Sequence, residues 1–348
     1  MKRTILASFF VVVLFLGLIL SGPSISAAQD RFVYACFRVG TSFYFEAVGI
    51  TQLLNQYANA TAIVQPYPAP TAVFKALHEK KADMASQNKK WAHDYTYGDT
   101  SVLKHAKFYP ETRVVMGSSH VPFGWVTRPD TGIKTIADLR GRKVTFKIPG
   151  LTMSPIMAAA SLRATGIDPD KDVKHVPFPN SPSAAKGLKG KKIDAMWGAL
   201  GTSYIQAVQA TVGLSVISFP PDVFEKLSPV LRDTYALREL PAGYYTTLDK
   251  KTYVAGLPSV IITREDVSAD IVYQVVKLTT EHAKTTRRIH KLFREHGKPE
   301  YQITENFQTP FHPGAIKYYK EAGTWTPAYE AQQSQLLEKL RKKVQASK

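Results

Sequence analysis

Short apolar segments alternate with helix-forming segments along this chain, and this alternation limits the folds that it can adopt. Residues 32–39 have a strand pattern, residues 45–57 a helix pattern with an apolar stripe, and residues 61–64 a second strand pattern. The same order restarts with a strand at residues 125–128 and returns to strand at residues 260–263. Such an order predicts parallel strands with helices on their faces. Two such units in sequence therefore predict two α/β lobes.

The boundaries of the two lobes follow from where the pattern restarts and where it returns. Residues 29–124 and 254–348 are predicted to form lobe I, and residues 125–253 to form lobe II. In folds of this kind ligands bind at the carboxyl ends of the strands, in a cleft between lobes. The lobes are expected to move on hinges near residues 122–126 and 246–258, because a few residues can absorb such a motion.

The N-terminus has the pattern of an export signal. Two basic residues precede an apolar run at residues 5–20, which is shorter than the ~20 residues that cross a bilayer. Ser26 and Ala28 are small residues at the −3 and −1 positions of a signal-peptidase site. We expect residues 1–28 to be a cleaved signal peptide. The protein is then expected in the periplasm, with 320 of its 348 residues remaining.

The net charge and the single cysteine exclude some classes of protein. The formal charge of +17 falls to +15 without the signal peptide, which contains two basic residues and no acidic one. The basic residues are spread along the chain, and export also argues against a nucleic-acid partner. Cys36 cannot form an internal disulfide, and Tyr34 is too bulky for a lipid-attachment motif. We therefore expect Cys36 to be a buried core residue.

No motif in the sequence indicates catalysis or metal binding. The chain lacks a nucleophile-elbow, phosphate-loop or zinc-protease motif. His282, His290 and His296 lie on one predicted helix over residues 268–296, at offsets of eight and six. These offsets do not place two imidazoles together as an i, i+4 pair would. We expect a binding protein, not an enzyme, with no metal and no cofactor.

Five segments together resemble one known family. They are residues 40–44, 82–88, 132–144, 193–197 and 312–319. In this order and at these spacings they resemble the TAXI family of extracytoplasmic solute receptors, which serve TRAP transporters, from about residue 32 to about residue 324. The resemblance implies a two-lobed periplasmic binding protein fold, each lobe a mostly parallel sheet flanked by helices, with a ligand cleft between the lobes.

The resemblance also implies a function and partners. The receptor would be a monomer that closes on a small anionic solute, an organic acid or an amino acid. It would deliver that solute to the membrane subunits of an ion-driven TRAP-type permease. Two alternatives stay open at this stage. One is a ligand-binding sensor that reports to a membrane kinase, and the other is a periplasmic enzyme on the same fold.

The candidate ligand-binding residues lie where predicted strands end and helices begin. A helix is predicted to open at Ser154, and the hydroxyls of Thr152 and Ser154 with its free N–H groups suit a carboxylate. Tyr44 and Trp197 combine a ring with a polar tip, which suits a pocket wall. Gln87 has a position that the resemblance assigns to the pocket. The full candidate set is Thr41, Ser42, Tyr44, Gln87, Asn88, Thr152, Ser154, Trp197 and Tyr245.

Two departures from the family pattern bear on the ligand. The first loop contains one glycine, Gly40, where the family usually has a Gly-Gly pair, and aromatic residues follow it. Less bare backbone and more aromatic surface favour a bulkier or less polar ligand than glutamate. After Asn88 the family often has an acidic residue, but this chain has Lys89 and Lys90. Lys89 is either a solvated lysine or a partner for an anionic ligand.

Overall fold

The computed structural model describes most of the chain after the expected signal peptide. The described residues are 31–101, 103–244, 250–289, 293, 296–303 and 307–347. The predicted signal peptide, the candidate Tyr245 and His290 lie outside them. Among the described residues, none of the helices combines the length and the apolar composition that a membrane span needs.

The strands come from both halves of the chain. They are β1 (Phe32–Phe37), β2 (Ala62–Tyr67), β3 (Met84–Asn88), β4 (Thr112–Thr127), β5 (Lys143–Thr145), β6 (Lys174–His175), β7 (Ala195–Ala199), β8 (Ser215–Ile217), β9 (Ala236–Leu240) and β10 (Thr252–Arg264). Two of them, β4 and β10, are much longer than the others.

Helices connect most of these strands. They are α1 (Ser42–Tyr57), α2 (Pro70–His78), α3 (Lys89–Tyr97), α4 (Met153–Ala164), α5 (Ser181–Lys189), α6 (Ser203–Val212), α7 (Pro221–Glu225), α8 (Pro229–Thr234), α9 (Ala269–Glu281), α10 (Ala283–Ile289), α11 (Pro299–Gln302), α12 (Pro313–Glu321) and α13 (Pro327–Ala346). The predicted β-α-β alternation is thus present in both units.

All the strands join one mixed sheet, in the order β2-β1-β3-β10-β4-β7-β5-β6, with β8 beside β4 and β9 beside β10. The pairs β1–β2, β1–β3, β5–β6 and β5–β7 are parallel. β4 and β10 run antiparallel to each other and to their other neighbours. We call the side with β1, β2 and β3 lobe I, and the side with β5 to β9 lobe II. Both lobes share β4 and β10, and the predicted boundaries fall inside these two strands.

The core of lobe I explains the burial of β1. A parallel strand covered by helices on both faces is buried along most of its length. Tyr34, Ala35 and Cys36 are fully buried in β1, which confirms the prediction that Cys36 is a core residue. Burial and the nearby charge of Glu46 raise the pKa of the Cys36 thiol to about 12.

The predicted long helix over residues 268–296 is wrong in its length. Helix α9 ends at Glu281, and α10 begins at Ala283. His282 lies at the break, and its ring stacks on Tyr57 of α1 with the centroids 3.9 Å apart. The apolar pattern of the sequence continues through His282, so it could not indicate the break between α9 and α10, where His282 contacts α1.

The segment at residues 312–319, which carries much of the family resemblance, has a structural role. His312 caps α12, because its Nδ1 accepts a hydrogen bond from the Gly314 N–H at 3.1 Å. A Cβ atom on Gly314 would come within 2.1 Å of the Ala269 carbonyl oxygen. This glycine therefore lets α12 pack directly on the backbone at the start of α9.

Candidate functional site

A cavity of about 100 Å³ lies between the two lobes, where β1 and β7 end beside the long strands. Its lining residues are Phe37, Arg38, Val39, Thr41, Ser42 and Phe43 from lobe I, Leu151, Ser181, Pro182, Ala199, Thr202 and Tyr204 from lobe II, and Val121, Phe123 and Leu257 from β4 and β10. Carboxyl ends of parallel strands are where α/β folds bind ligands. A cleft at this position between two lobes is a common binding site for a small solute.

The lobe I wall is built by the turn between β1 and α1. Gly40 has a φ of +80°, which an L side chain rarely adopts, so this position favours glycine. Thr41 is the N-cap of α1: its hydroxyl accepts from the Tyr44 N–H at 3.3 Å and donates to the Arg38 carbonyl at 2.7 Å. This turn places Ser42 at the cavity. The Ser42 hydroxyl is buried and has no hydrogen-bond partner among the described residues.

The lobe II wall is built by the first turns of α5 and α6. The helix start at Ser181 follows Asn180, whose side chain accepts from the Ser183 N–H at 2.8 Å. Thr202 precedes α6, and its hydroxyl donates to the Ala199 carbonyl at 2.9 Å. The positive ends of both helix dipoles therefore lie at the cavity.

The two lobes touch directly beside the cavity. The Gly40 carbonyl oxygen accepts from the Ser203 N–H at 3.3 Å and lies 3.4 Å from the Ser203 hydroxyl. A Cβ atom on Gly40 would come within 2.6 Å of that hydroxyl oxygen. In this conformation, the start of α6 in lobe II therefore contacts the loop after β1 in lobe I.

Arg38 is the one cationic side chain among the described residues that line the cavity. Its Nε donates to the Pro68 carbonyl at 2.8 Å, and its guanidinium carbon lies 5.1 Å from the centroid of the Phe37 ring. One terminal guanidinium nitrogen of Arg38 lies close to Gly150 of lobe II, because a Cβ atom added at Gly150 would be 3.3 Å from it. No carboxylate of the described residues forms an ion pair with Arg38. Its charge is therefore available to a ligand.

The charge of Arg38 also reaches the opposite wall. Burial raises the pKa of the Tyr204 hydroxyl, against the smaller lowering effects of hydrogen bonds to Thr202 and Ser181 and of the Arg38 charge. The Ser181 and Tyr204 hydroxyls of lobe II and the Arg38 guanidinium of lobe I thus lie near one another, whereas the Thr202 hydroxyl already donates to the Ala199 carbonyl. Hydroxyl and guanidinium groups donate hydrogen bonds to an anion.

Two of the nine predicted site residues, Thr41 and Ser42, line this cavity. Tyr44 is half-buried and packs against the core of the protein. Gln87 is buried, and its side-chain amide donates to the Pro70 carbonyl at 3.3 Å. Asn88 is the N-cap of α3, where its side chain accepts from the Trp91 N–H at 3.0 Å. The last three residues therefore lie in lobe I without lining the cavity.

The predicted residues of lobe II also lie around the cavity without lining it. The helix predicted to open at Ser154 begins one residue earlier, at Met153, with Thr152 at the cap position and no side-chain capping bond. Leu151 lines the cavity, whereas Thr152 is exposed and Ser154 is buried in α4. Trp197 is buried and packs edge-on against Trp125 with the centroids 5.8 Å apart. Its indole N–H has no partner among the described residues.

Lys89 lies away from this cavity. It lines a separate, smaller pocket with Val260 and Phe311, and burial lowers the pKa of its ammonium group. No ion pair with Lys89 occurs among the described residues.

Several lining residues were not predicted from the sequence, and Arg38 is the most informative of them. A charged residue at the end of an apolar strand, immediately before a glycine turn, is a signal that the sequence does contain. Val121, Phe123 and Leu257 lacked any such signal, because they reach the cavity only through the antiparallel pairing of β4 with β10.

A buried cluster of Ser118, His296 and Glu46 resembles a catalytic arrangement only in its residue types. The Ser118 hydroxyl donates to Glu46 Oε1 and lies 2.9 Å from His296 Nε2, which is 3.1 Å from the same Glu46 oxygen. In a catalytic triad the carboxylate contacts the other imidazole nitrogen. Here His296 Nδ1 has no partner among the described residues, and all three side chains are buried. This geometry supports a structural role.

One group of side chains has the composition of a metal site. His93, Asp94 and Asp99 offer ligand atoms within 4.8 Å of one another. The ammonium group of Lys90 contacts Asp94 and lies 3.6 Å from Asp99. A cationic side chain thus already balances these carboxylates, and a metal ion would have to displace it.

The fold and the interlobe cavity define the class of protein. This is a two-lobed periplasmic binding protein fold, in which two α/β lobes share long strands and enclose a cleft. The sequence profile of the NMT1-like family matches residues 38–323. The chain therefore belongs to the NMT1-like family.

Solved structures share this fold at low sequence identity. PhnD1 from Prochlorococcus marinus (MIT 9301), solved with methylphosphonate, is 8% identical, with 85% of this chain and 99% of that chain covered and a TM-score of 0.50. A structure described as a periplasmic transporter is 13% identical, with 89% and 99% covered and a TM-score of 0.50. These likenesses confirm the predicted fold class.

Proposed function

We propose that this protein is an exported solute receptor that closes on a small organic acid or amino acid and delivers it to a TRAP-type, ion-driven permease. The observation that carries the proposal is the interlobe cavity, to which both lobes and both shared strands contribute. A cleft between two lobes can open and close around its ligand by a hinge motion, which is the behaviour that a shuttling receptor needs.

The contact between Gly40 and Ser203 supports closure as the binding step. This contact joins residues on opposite walls of the cavity, so it must break when the lobes part. A ligand that touches both walls would favour the closed form by its differential affinity for that form. The middle parts of β4 and β10, close to the predicted hinges at residues 122–126 and 246–258, would absorb the motion; residues 246–249 lie outside the described residues.

The predicted export signal and the TAXI resemblance support the location and the partner. A receptor released into the periplasm after cleavage of the predicted signal would meet a permease by collision after it has bound its solute. Membership of the NMT1-like family and the shared fold agree with this proposal at the level of a binding protein. The same features also agree with a sensor, and an experiment must separate the two.

The experiment has two stages. The first is a thermal-shift screen of the mature protein against organic acids and amino acids, in which at least one solute should raise the melting temperature. The second is uptake of that solute by cells with and without the gene. A TRAP-type partner is supported if the deletion strain loses uptake of the solute and if collapsing the ion gradient abolishes uptake in the parent cells. Uptake that is unchanged by the deletion contradicts the transport proposal.

A further inference from the structure

We propose that the cavity selects a compact carboxylate with one negative charge, an apolar body and no ammonium group, and that Arg38 binds its carboxylate. This inference rests on the proposed function. It narrows the solute from organic acids and amino acids in general to one chemical class.

The first support is the way in which Arg38 is held. Its Nε is engaged by the Pro68 carbonyl at 2.8 Å, and its guanidinium lies beside the Phe37 ring. These contacts fix the plane of the guanidinium and leave its two terminal nitrogens without an ion pair among the described residues. A guanidinium with two adjacent donors matches a carboxylate in a bidentate geometry.

The second support is independent of Arg38. The hydroxyl of Ser42 lines the cavity, is only 4% exposed and has no hydrogen-bond partner among the described residues. A buried polar atom without a partner is unfavourable, so a ligand oxygen that accepts from this hydroxyl would be stabilised. The helix starts at Ser181 and Thr202 add their positive dipole ends on the opposite wall.

The third support is the composition of the remaining lining. Nine of the fifteen lining residues have apolar side chains, and none of the described ones is Asp or Glu. Glu46 is one helical turn beyond Ser42, but its carboxylate contacts Ser118 and His296. An ammonium group in the cavity would find no counter-charge there, and a second carboxylate would find no second cation. Burying such an unpaired charge is strongly unfavourable.

The test compares ligands that share a carbon skeleton. The probes are 4-methyl-2-oxopentanoate with leucine, and 2-oxoglutarate with glutamate, each titrated calorimetrically into the mature protein. We expect 4-methyl-2-oxopentanoate to bind most tightly and leucine at least about a hundredfold more weakly. Tighter binding of leucine, glutamate or 2-oxoglutarate overturns this inference but leaves solute binding intact. If no solute in this panel or in the screen binds, the proposed function itself fails.

Variants then test the role of Arg38. Arg38→Gln should weaken binding of 4-methyl-2-oxopentanoate about ten- to a hundredfold, because a charge-assisted pair is lost. Arg38→Lys keeps the positive charge but loses the paired guanidinium donors, so its affinity should lie between those of the wild type and Arg38→Gln. If Arg38→Gln does not fold, the affinity of Arg38→Lys tests the role of Arg38. The exposed Arg163→Gln is the matched control and should bind normally. If Arg38→Gln binds normally and Ser154→Ala loses affinity, the carboxylate binds at the start of α4, and the assignment of Arg38 as its binding residue is refuted.

Discussion

The contact between Gly40 and Ser203 gives a quantitative prediction about closure. A Gly40→Ala substitution has two separable effects. The φ of +80° costs an alanine about 1–2 kcal/mol in the open and the closed protein alike. The new Cβ also meets the Ser203 hydroxyl at 2.6 Å and turns it away from the Gly40 carbonyl, which costs about 0.5–1.5 kcal/mol in the closed form only.

These two effects appear in different assays. The backbone strain should lower the melting temperature without ligand. The lost interlobe contact should raise the dissociation constant of the tightest-binding solute about two- to twelvefold, measured by calorimetry. The control is a double-mutant cycle: in a Ser203→Ala background there is no hydroxyl to displace, so Gly40→Ala should leave affinity unchanged. If Gly40→Ala weakens binding equally in both backgrounds, the contact is not part of closure.

Further predictions concern stability and reactivity. Gly314→Ala should destabilise the protein by about 1–3 kcal/mol in urea unfolding, since its Cβ would meet the Ala269 backbone, whereas Gly124→Ala, whose nearest atom is 3.7 Å away, should be nearly neutral; equal effects would contradict this. Cys36, with a pKa of about 12, is ionised in only about one molecule in 10⁴ at pH 8, so it should react with a thiol reagent only after unfolding, and rapid reaction of the folded protein would refute its burial. Asp138 accepts two backbone N–H bonds that lower its pKa below the unfolded value, so its contribution to stability is present above about pH 4 and is lost as the pH falls through the folded pKa. The melting temperature of Asp138→Ala should therefore lie below that of the wild type at pH 7, and the difference should shrink as the pH falls below about 4, whereas a pH-independent difference would contradict this.

The sequence predicted the parts of the fold that depend on local patterns. The strand at β1 and the helix α1 were recognisable because each carries an apolar pattern of its own period. Thr41 and Ser42 were predicted at the cleft because they follow directly after a strand, where the carboxyl ends of parallel strands meet.

Other parts depend on pairing between distant segments. The pattern predicted a strand from residue 125, but β4 begins at Thr112, and its earlier half contains one charged residue, Arg113, and a glycine, Gly117, which break the period. The register of β4 with β7 sets Trp197 opposite Trp125, so the ring of Trp197 joins the core. No local pattern contains this register, which is why an aromatic side chain with a polar tip looked like a pocket wall.

The distance between the lobes is the most direct test of the central claim, which is closure on a small solute. Spin labels at Lys75→Cys in α2 and Lys189→Cys in α5 would report this distance by pulsed electron paramagnetic resonance. The labels would attach at these two positions because both are exposed, whereas native Cys36 is buried. We predict a broad or long distance distribution without solute and a shorter, narrower one at saturating solute. A distribution that does not change when a confirmed ligand saturates the protein would contradict the account.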